Sequence, residues 1–441
     1  MKLTRSVLLV LAALSSTPVF ATDLLDAYRS ALSQDAAFAA ARASQQAGRE
    51  KKSQGLSLLM PNVNLTANST YNDIDTQYTG GARALQYNNS GYGVSLVQPL
   101  FRQQAWMSYS ESELQVVISE AQYKAAEHDL ILRVAQSYFE VLMAQDSVQL
   151  TEAQKKAISE QLEQAKRNFE VGTSTITDTY EAQARYDLVV AQEITAQSNL
   201  EIKQRSLQQI TNSASADLRQ LGKGLSLDAP QPSDVEKWVE NAQQHNLQVA
   251  IAAAAAELAD KEVSRTMGGH LPTLDLVANY TKNSSNGGTF TGAGYGSADT
   301  TSKVVGVQLN LPLFQGGATQ SKYREAEAGR DKARQDLENA RRTVAVQTRQ
   351  AYLGVANGIA QVKALQQALK SSESLLEASK LGQGVGVRTN LDVLNAQQQL
   401  FSTRRDLYQA EYNYLLSRLR LKAAVGMLAE EDLDSVNQAL R

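Results

Sequence analysis

The chain has no cysteine in 441 residues, so neither a disulfide framework nor a lipid-bearing N-terminal cysteine is available to it. Beyond residue 21 there is no run of 18 or more apolar residues, which leaves no segment able to cross a membrane as a helix. Charge of one sign is missing as well. The 43 Lys+Arg and 46 Asp+Glu are interspersed, so there is no basic stripe for nucleic acid and no polybasic membrane patch. The three histidines, His128, His245 and His270, lack an i+4 histidine or a cysteine nearby, so no metal site is expected. No Ser-His-Asp arrangement and no Gly-rich phosphate loop stands out, and neither an enzyme nor a cofactor is expected.

Proline is scarce, and its seven positions act as punctuation. Pro18 lies in a leader-like start: Lys2 and Arg5, an apolar stretch from Val7 to Leu14, then the small-residue pattern Val19-Phe20-Ala21. This predicts a signal peptide over residues 1–21 and export of the remainder. Pro230 and Pro232 mark a link, and Pro61, Pro99, Pro272 and Pro312 flank the only strand-like segments. From Arg102 to Glu170 there is neither proline nor glycine, so nothing interrupts a helix. Such a helix would span roughly 100 Å at the α-helical rise. Val134, Val141 and Val148 sit seven apart, as do Val355, Val362, Leu369 and Leu376. Each series is one seam that needs a partner helix, with Tyr180 to Gln209 and Val393 to Ala424 as the candidates. A compact bundle is the alternative.

What is present is a repeat at an interval of about 214 residues. Val171-Gly172-Thr173 returns as Val385-Gly386-Val387, and Gln136-x-Tyr138-x-x-Val141 as Gln350-x-Tyr352-x-x-Val355. Thr175-x-x-Asp178 returns as Thr389-x-x-Asp392. The interval is too long for a solenoid repeat of 20–50 residues and implies two pseudo-symmetric halves, residues 22–228 and 229–441. The expected long helices cover about 102–170 and 178–210 in the first half, and about 318–381 and 392–424 in the second.

Four segments alternate apolar with polar residues: about 61–71, 90–100, 272–282 and 303–313. Val63, Leu65 and Ala67 alternate with Asn and Thr, and Val305, Val307, Leu309 and Leu311 with Gly, Gln and Asn. Each is near the ten residues that a tilted strand needs to cross a bilayer. Tyr71, Tyr92, Phe101, Tyr280 and Phe314 fall near the ends, as interfacial aromatics would. Asn72–Ser90 and Asn283–Thr301, rich in small polar residues, are expected to be exposed loops. Four strands cannot close a barrel, and lipid tolerates no open edge, so membrane-spanning strands would have to share a barrel with other chains. A soluble sandwich with one wet face is the alternative.

The pieces Leu311-Pro312-Leu313-Phe314-Gln315-Gly316-Gly317, His270-Leu271-Pro272-Thr273-Leu274-Asp275-Leu276 and Val385-Gly386-Val387-Arg388-Thr389 resemble the TolC-type outer-membrane efflux and secretion proteins. The resemblance runs from Leu24 to Gly426. It implies an α+β membrane protein and a homotrimer. Each chain would give four strands to one shared 12-stranded barrel, and long antiparallel helical hairpins to a periplasmic α-barrel tunnel. Irregular equatorial segments would lie at about 211–245 and 426–441. It further implies a passive exit duct in the outer membrane, docked by a periplasmic adaptor and an inner-membrane pump or ABC transporter, for efflux or type I protein secretion.

The same resemblance assigns residues. Val171, Gly172, Thr173, Val385, Gly386 and Val387 become adaptor-contacting tips, with plain turn residues as the alternative. Asp392 becomes a ring aspartate at the periplasmic gate, with Arg388, Thr177 and Asp178 as constricting partners. Two positions depart from the family pattern: Asn395 where a second ring aspartate is expected, and Gln383 where a tyrosine is expected. Thr175-x-x-Asp178 and Thr389-x-x-Asp392 also fit a capping box with Asp in place of Glu, so capping is the competing role for both aspartates. Paired lysines such as Lys155-Lys156 are read as solvated helix faces. The competing function is a non-channel surface or periplasmic coiled-coil scaffold.

Overall fold

The computed structural model describes residues 22–213, 218–222, 224–290 and 295–440; the expected signal peptide, residues 1–21, lies outside these. The chain builds the same series twice. The first half runs α1 (Leu24–Gln34), α2 (Ala36–Ser57), β1 (Asn62–Tyr78), β2 (Gly81–Phe101), α3 (Gln103–Glu170) and α4 (Ile176–Thr211). The second runs α5 (Val235–His245), α6 (Leu247–Met267), β3 (Thr273–Phe290), β4 (Tyr295–Asn310), α7 (Ala318–Gly384) and α8 (Asn390–Val425), followed by α9 (Glu430–Asn437). Helices α3 and α7 have 68 and 67 residues, and α4 and α8 have 36 each.

The long helices exceed their 36-residue partners, and shorter helices cover the difference. One part of α3 packs on α4, and elsewhere α3 packs on α2 and α6; α7 is covered in the same way by α8 and α6. No helix is expected from the sequence over α1, α2, α5, α6 or α9, although α1 carries an Asp23 cap and a buried stripe of Leu24, Ala27, Tyr28 and Ala31. Helix α2 buries only Phe38 and Gly55, so it carries no apolar stripe wide enough to declare itself.

The strands form one antiparallel sheet in the order β1-β2-β3-β4. Its register places Leu65, Val94, Tyr280 and Lys303 in one row, and Val63, Leu96, Ala278 and Val305 in the next. Directly paired residues share a face, so the apolar alternation of all four strands sums to one exposed apolar face. Leu65 and Val305 are 73% and 77% exposed on it. The other face carries Asn64, Thr66, Ser95, Gly93, Asn279 and Thr281.

Where they are described, the expected loops are strands instead; residues 291–294 of the second lie outside the described residues. Asn72–Ser90 is ladder up to a tight turn at Thr79-Gly80, with Asn72 paired to Tyr87 and Gln77 to Ala82. In the second hairpin Asn283 pairs with Thr300 and Thr289 with Gly296, so the ladder again continues past the apolar rows. Backbone hydrogen bonds hold these extensions, and they need no apolar alternation to form.

The main core lies where α1, α3, α8, α9 and the link between halves converge, around Tyr28, Leu130, Val134, Tyr138, Leu415 and Leu433. It includes described parts of both expected equatorial segments, which are not irregular throughout: α5 lies in the first and α9 in the second, their apolar sides (Trp238, Ala242, Leu433, Val436) buried in this core. Residues 214–217, 223 and 441 lie outside the described set. The Tyr414 hydroxyl donates to Asp228 O at 3.1 Å and accepts from Asp228 N at 2.8 Å, which pins the inter-half link. Asp35 caps α2 at Phe38 N and takes a two-pronged ion pair from Arg133 at 3.0 and 3.1 Å.

Next to this core, α8 meets α3 through acids. The Tyr412 hydroxyl donates to Asp146 Oδ2 at 2.6 Å. Burial pushes the neighbouring Glu411 up from 4.5 to about 7, with the Asp146 charge adding to the effect. The fold therefore favours protonated Glu411, and between pH 4.5 and about 7 the native state holds more protons than the unfolded chain. This group's cost to stability is absent below pH 4.5 and grows as pH rises to about 7. Glu411→Gln is expected to match the wild type in unfolding free energy at the acid end. At pH 8 it should exceed it by about 1–2 kcal/mol, allowing for solvent screening. Denaturant unfolding at both pH values checks this.

Candidate functional site: the helix-hairpin tips

Each half ends its helical hairpin in a tight turn. Gly172 and Gly386 have φ of +75° and +79°, a left-handed conformation that glycine adopts without strain. In both turns the glycine is followed by a backbone N–H returning to the outgoing helix: Thr173 N to Asn168 O, and Val387 N to Gly382 O, each 2.8 Å. The residues around the glycines are displayed outward. Val171, Val385 and Val387 are 73%, 76% and 79% exposed, and Thr173 is exposed too. Apolar side chains at this exposure cost solubility unless something covers them.

The returning helices open with reciprocal capping boxes. Thr175 Oγ1 accepts from Asp178 N, and Asp178 Oδ2 accepts from Thr175 N at 2.9 Å. Thr389 and Asp392 repeat the pattern, with Thr389 N to Asp392 Oδ2 again 2.9 Å. Capping is therefore a real role of both aspartates. It leaves the second Asp392 oxygen available: Arg388 Nη1 lies 3.8 Å from Oδ1. The Thr389 hydrogen bonds, backbone first and then hydroxyl, hold the Asp392 carboxyl below its ordinary range, with the Arg388 charge helping. Asp178 is lowered mainly by Ser174 and Thr175. Both are carboxylates at neutral pH.

The other expected gate residues are spread around these caps. Thr177 is exposed in the first turn of α4, and Gln383 Nε2 reaches Asn390 Oδ1 at 3.3 Å across the second turn. Asn395 is held from α4: Arg185 Nη2 donates to Asn395 Oδ1 at 3.0 Å, and Nη1 to Gln398. Arg185 was not singled out in the sequence, because its partners lie some 210 residues away. Behind this bridge Ile158, Val189 and Leu394 form a small cluster joining the two hairpins. Lys156 is exposed, as expected, whereas Lys155 is only partly so. The Lys155 ammonium lies 2.7 and 2.6 Å from the oxygens of Glu193, itself buried between α3 and α4.

Comparison with known proteins decides the family. A sequence profile for outer membrane efflux proteins matches residues 27–213 and 238–427, one block in each half. The outer membrane protein TolC of Vibrio cholerae is 35% identical over 429 residues, covering 97% of this chain and 95% of that protein. The chain belongs to the outer membrane efflux protein family.

Within the family, the alkaline protease secretion protein AprF of Pseudomonas aeruginosa is 33% identical over 428 residues, covering 95% of this chain and 87% of that protein. The crystal structure of the outer membrane protein VceC from Vibrio cholerae superposes with a TM-score of 0.78 at 17% identity, covering 91% of this chain and 96% of that one. The efflux-protein fold, a helical tunnel part joined to a four-strand share of a barrel, is thus the fold of this chain. As a family member it is an outer-membrane efflux channel protein, with its helices extending into the periplasm.

Proposed function

We propose that three copies of this chain form one passive exit duct. The observation that carries this reading is the sheet: four strands with an exposed apolar face, whose outer strands β1 and β4 each have only one partner strand. In lipid such edges must be paired, and copies of the same chain can pair β1 with β4 in rotation to give twelve strands. A coiled-coil scaffold would have no use for the apolar face. The polar opposite face then lines the pore, and α3, α4, α7 and α8 continue it as a periplasmic tunnel.

The exposed valines of the two tips are the surface for a periplasmic adaptor, which couples the duct to an inner-membrane pump or ABC transporter. Transport energy comes from that partner. Both a small-molecule efflux role and type I protein secretion fit. The secretion role is supported by relatives named for protease secretion, AprF and the PrtF protein of Dickeya chrysanthemi, the latter 31% identical over 441 residues.

At the periplasmic end Asp392 forms the selective ring. Three carboxylates around one axis attract cations and repel anions. Asn395 adds no charge and is tied up by Arg185, so the ring carries one acid per chain. Native mass measurement in detergent should give three chains per particle, and a folded monomer would overturn the duct. In single-channel recordings of that particle, Asp392→Asn should lower the cation-to-anion permeability ratio severalfold. It should also weaken block by multivalent cations added on the periplasmic side. Unchanged selectivity would leave Asp392 as a cap alone.

A further inference from the structure

The outward apolar face ends in an abrupt change of chemistry. Going from the helices toward the hairpin turns, its stripe on β3 reads Leu274, Leu276, Ala278, Tyr280, Lys282, and on β4 Leu309, Val307, Val305, Lys303. The register sets Lys303 beside Tyr280, and Lys282 beside both Tyr92 and Thr301. The two lysines are thus diagonal neighbours on adjacent strands, close enough to share one ligand. Both are exposed, and neither makes an ion pair or hydrogen bond among the described residues. Among the described strand residues they are the only cations on this face; Arg83 pairs with Thr76 on the opposite one. Tyr92 and Tyr280 stand beside them with ring centroids 6.3 Å apart. Beyond them the same face turns acidic, with Asp73 and Asp75 on β1 and Asp299 on β4.

The level of this pair follows from strand length. From Leu311 to Lys303 the chain rises roughly 26 Å along the strand. Tilted by about 35–45°, that run covers about 20 Å along the membrane normal, and the lysine stems, about 6 Å long, carry their ammonium groups on to the rim of an apolar band about 25 Å tall. Leu311 and the exposed Phe314 lie on the helix side, which is the periplasmic side. Lys282 and Lys303 therefore sit at the headgroup level of the outer leaflet, where the anions are phosphate groups on lipid.

We propose that Lys282 and Lys303, flanked by Tyr92 and Tyr280, bind the phosphate of an outer-leaflet phosphorylated glycolipid, three such sites per duct. Two ammonium groups supply charge and hydrogen bonds to the phosphate, the tyrosines pack against its sugar and first methylenes, and the valine rows below take the acyl chains. The proposal rests on the apolar face being the lipid-facing wall of the barrel.

The test uses the full mature chain in detergent, titrated with bis-phosphorylated lipid A and followed by native mass spectrometry. The wild type should retain lipid A. The double variant Lys282→Gln/Lys303→Gln should bind it on the order of thirtyfold more weakly, while Lys282→Arg/Lys303→Arg should bind within a few-fold of wild type. Dephosphorylated lipid A should bind as weakly to the wild type as lipid A does to the double Gln variant. Equal retention by wild type and double Gln variant overturns the proposal, as does full displacement by millimolar inorganic phosphate or by phosphatidylglycerol. A wild type that stays in solution without detergent and does not enter bilayers would overturn the lipid-facing wall itself. Entry into bilayers with no lysine dependence would overturn the headgroup site alone.

Discussion

Gly426→Ala should destabilise the protein by about 2–5 kcal/mol, far more than the same change at Gly172. Gly426 ends α8 with φ +83°, and Met427 N closes the turn on Lys422 O at 3.0 Å. A Cβ there would lie 2.4 Å from His245 O and 3.0 Å from Asn246 Cα, both main-chain atoms at the α5–α6 corner. That corner cannot retreat cheaply. Asn246 caps α6 through Val249 and Gln248, and its amide donates to Ala424 O at 2.8 Å. Gly172 shares the left-handed backbone with φ +75°, yet nothing lies within 4 Å of its would-be Cβ. Gly172→Ala should therefore cost only the conformational penalty, about 1 kcal/mol. Denaturant midpoints of the two variants, measured side by side, separate the steric part from the backbone part. Equal shifts would mean that the corner yields.

Arg102→Met should cost roughly 2–4 kcal/mol and loosen the joint between sheet and helices. The guanidinium, at the start of α3, grips Asp275 of β3 with two bonds of 2.8 and 2.7 Å. Asp275 is 8% exposed, so losing its partner leaves a buried carboxylate without a counter-charge. The arginine side chain is 40% exposed, which keeps the figure below that of a fully buried pair. Arg102→Met combined with Asp275→Leu should recover much of the loss, because the stranded charge is gone. Thermal unfolding of the two single variants and the double variant gives the coupling energy directly.

The long helices were legible in the sequence because helix continuity depends on local chemistry: residues 102–170 contain nothing that breaks a helix. The strands were legible only where one face is apolar. Ile74-Asp75-Thr76-Gln77 carries no alternation worth reading, and what makes it a strand is its pairing with Ala82 to Leu85. The tip aspartates show a different limit. Thr389-x-x-Asp392 could be read as a cap or as a gate, and the fold makes the cap while leaving Asp392 Oδ1 facing Arg388. The Arg185 bridge to Asn395 could not be anticipated, since only three-dimensional packing brings α4 beside α8. In the same way nothing local marks Lys155 as the cover of Glu193, a buried carboxylate 38 positions on.

The near-equality of α3 and α7, 68 and 67 residues, has a consequence for how such a chain can change in length. Each long helix starts at the same sheet and must deliver its tip to the same depth. Two inserted turns in α3 alone, seven residues, would push one tip about 10 Å past its twin. The seam on α4 would also slip by a heptad unless α4 grew to match. Tolerated changes should therefore arrive as quartets of matched heptads in α3, α4, α7 and α8. Reach into the periplasm becomes an adjustable ruler with a step of one heptad, and a designed duct could be shortened or lengthened on that scale.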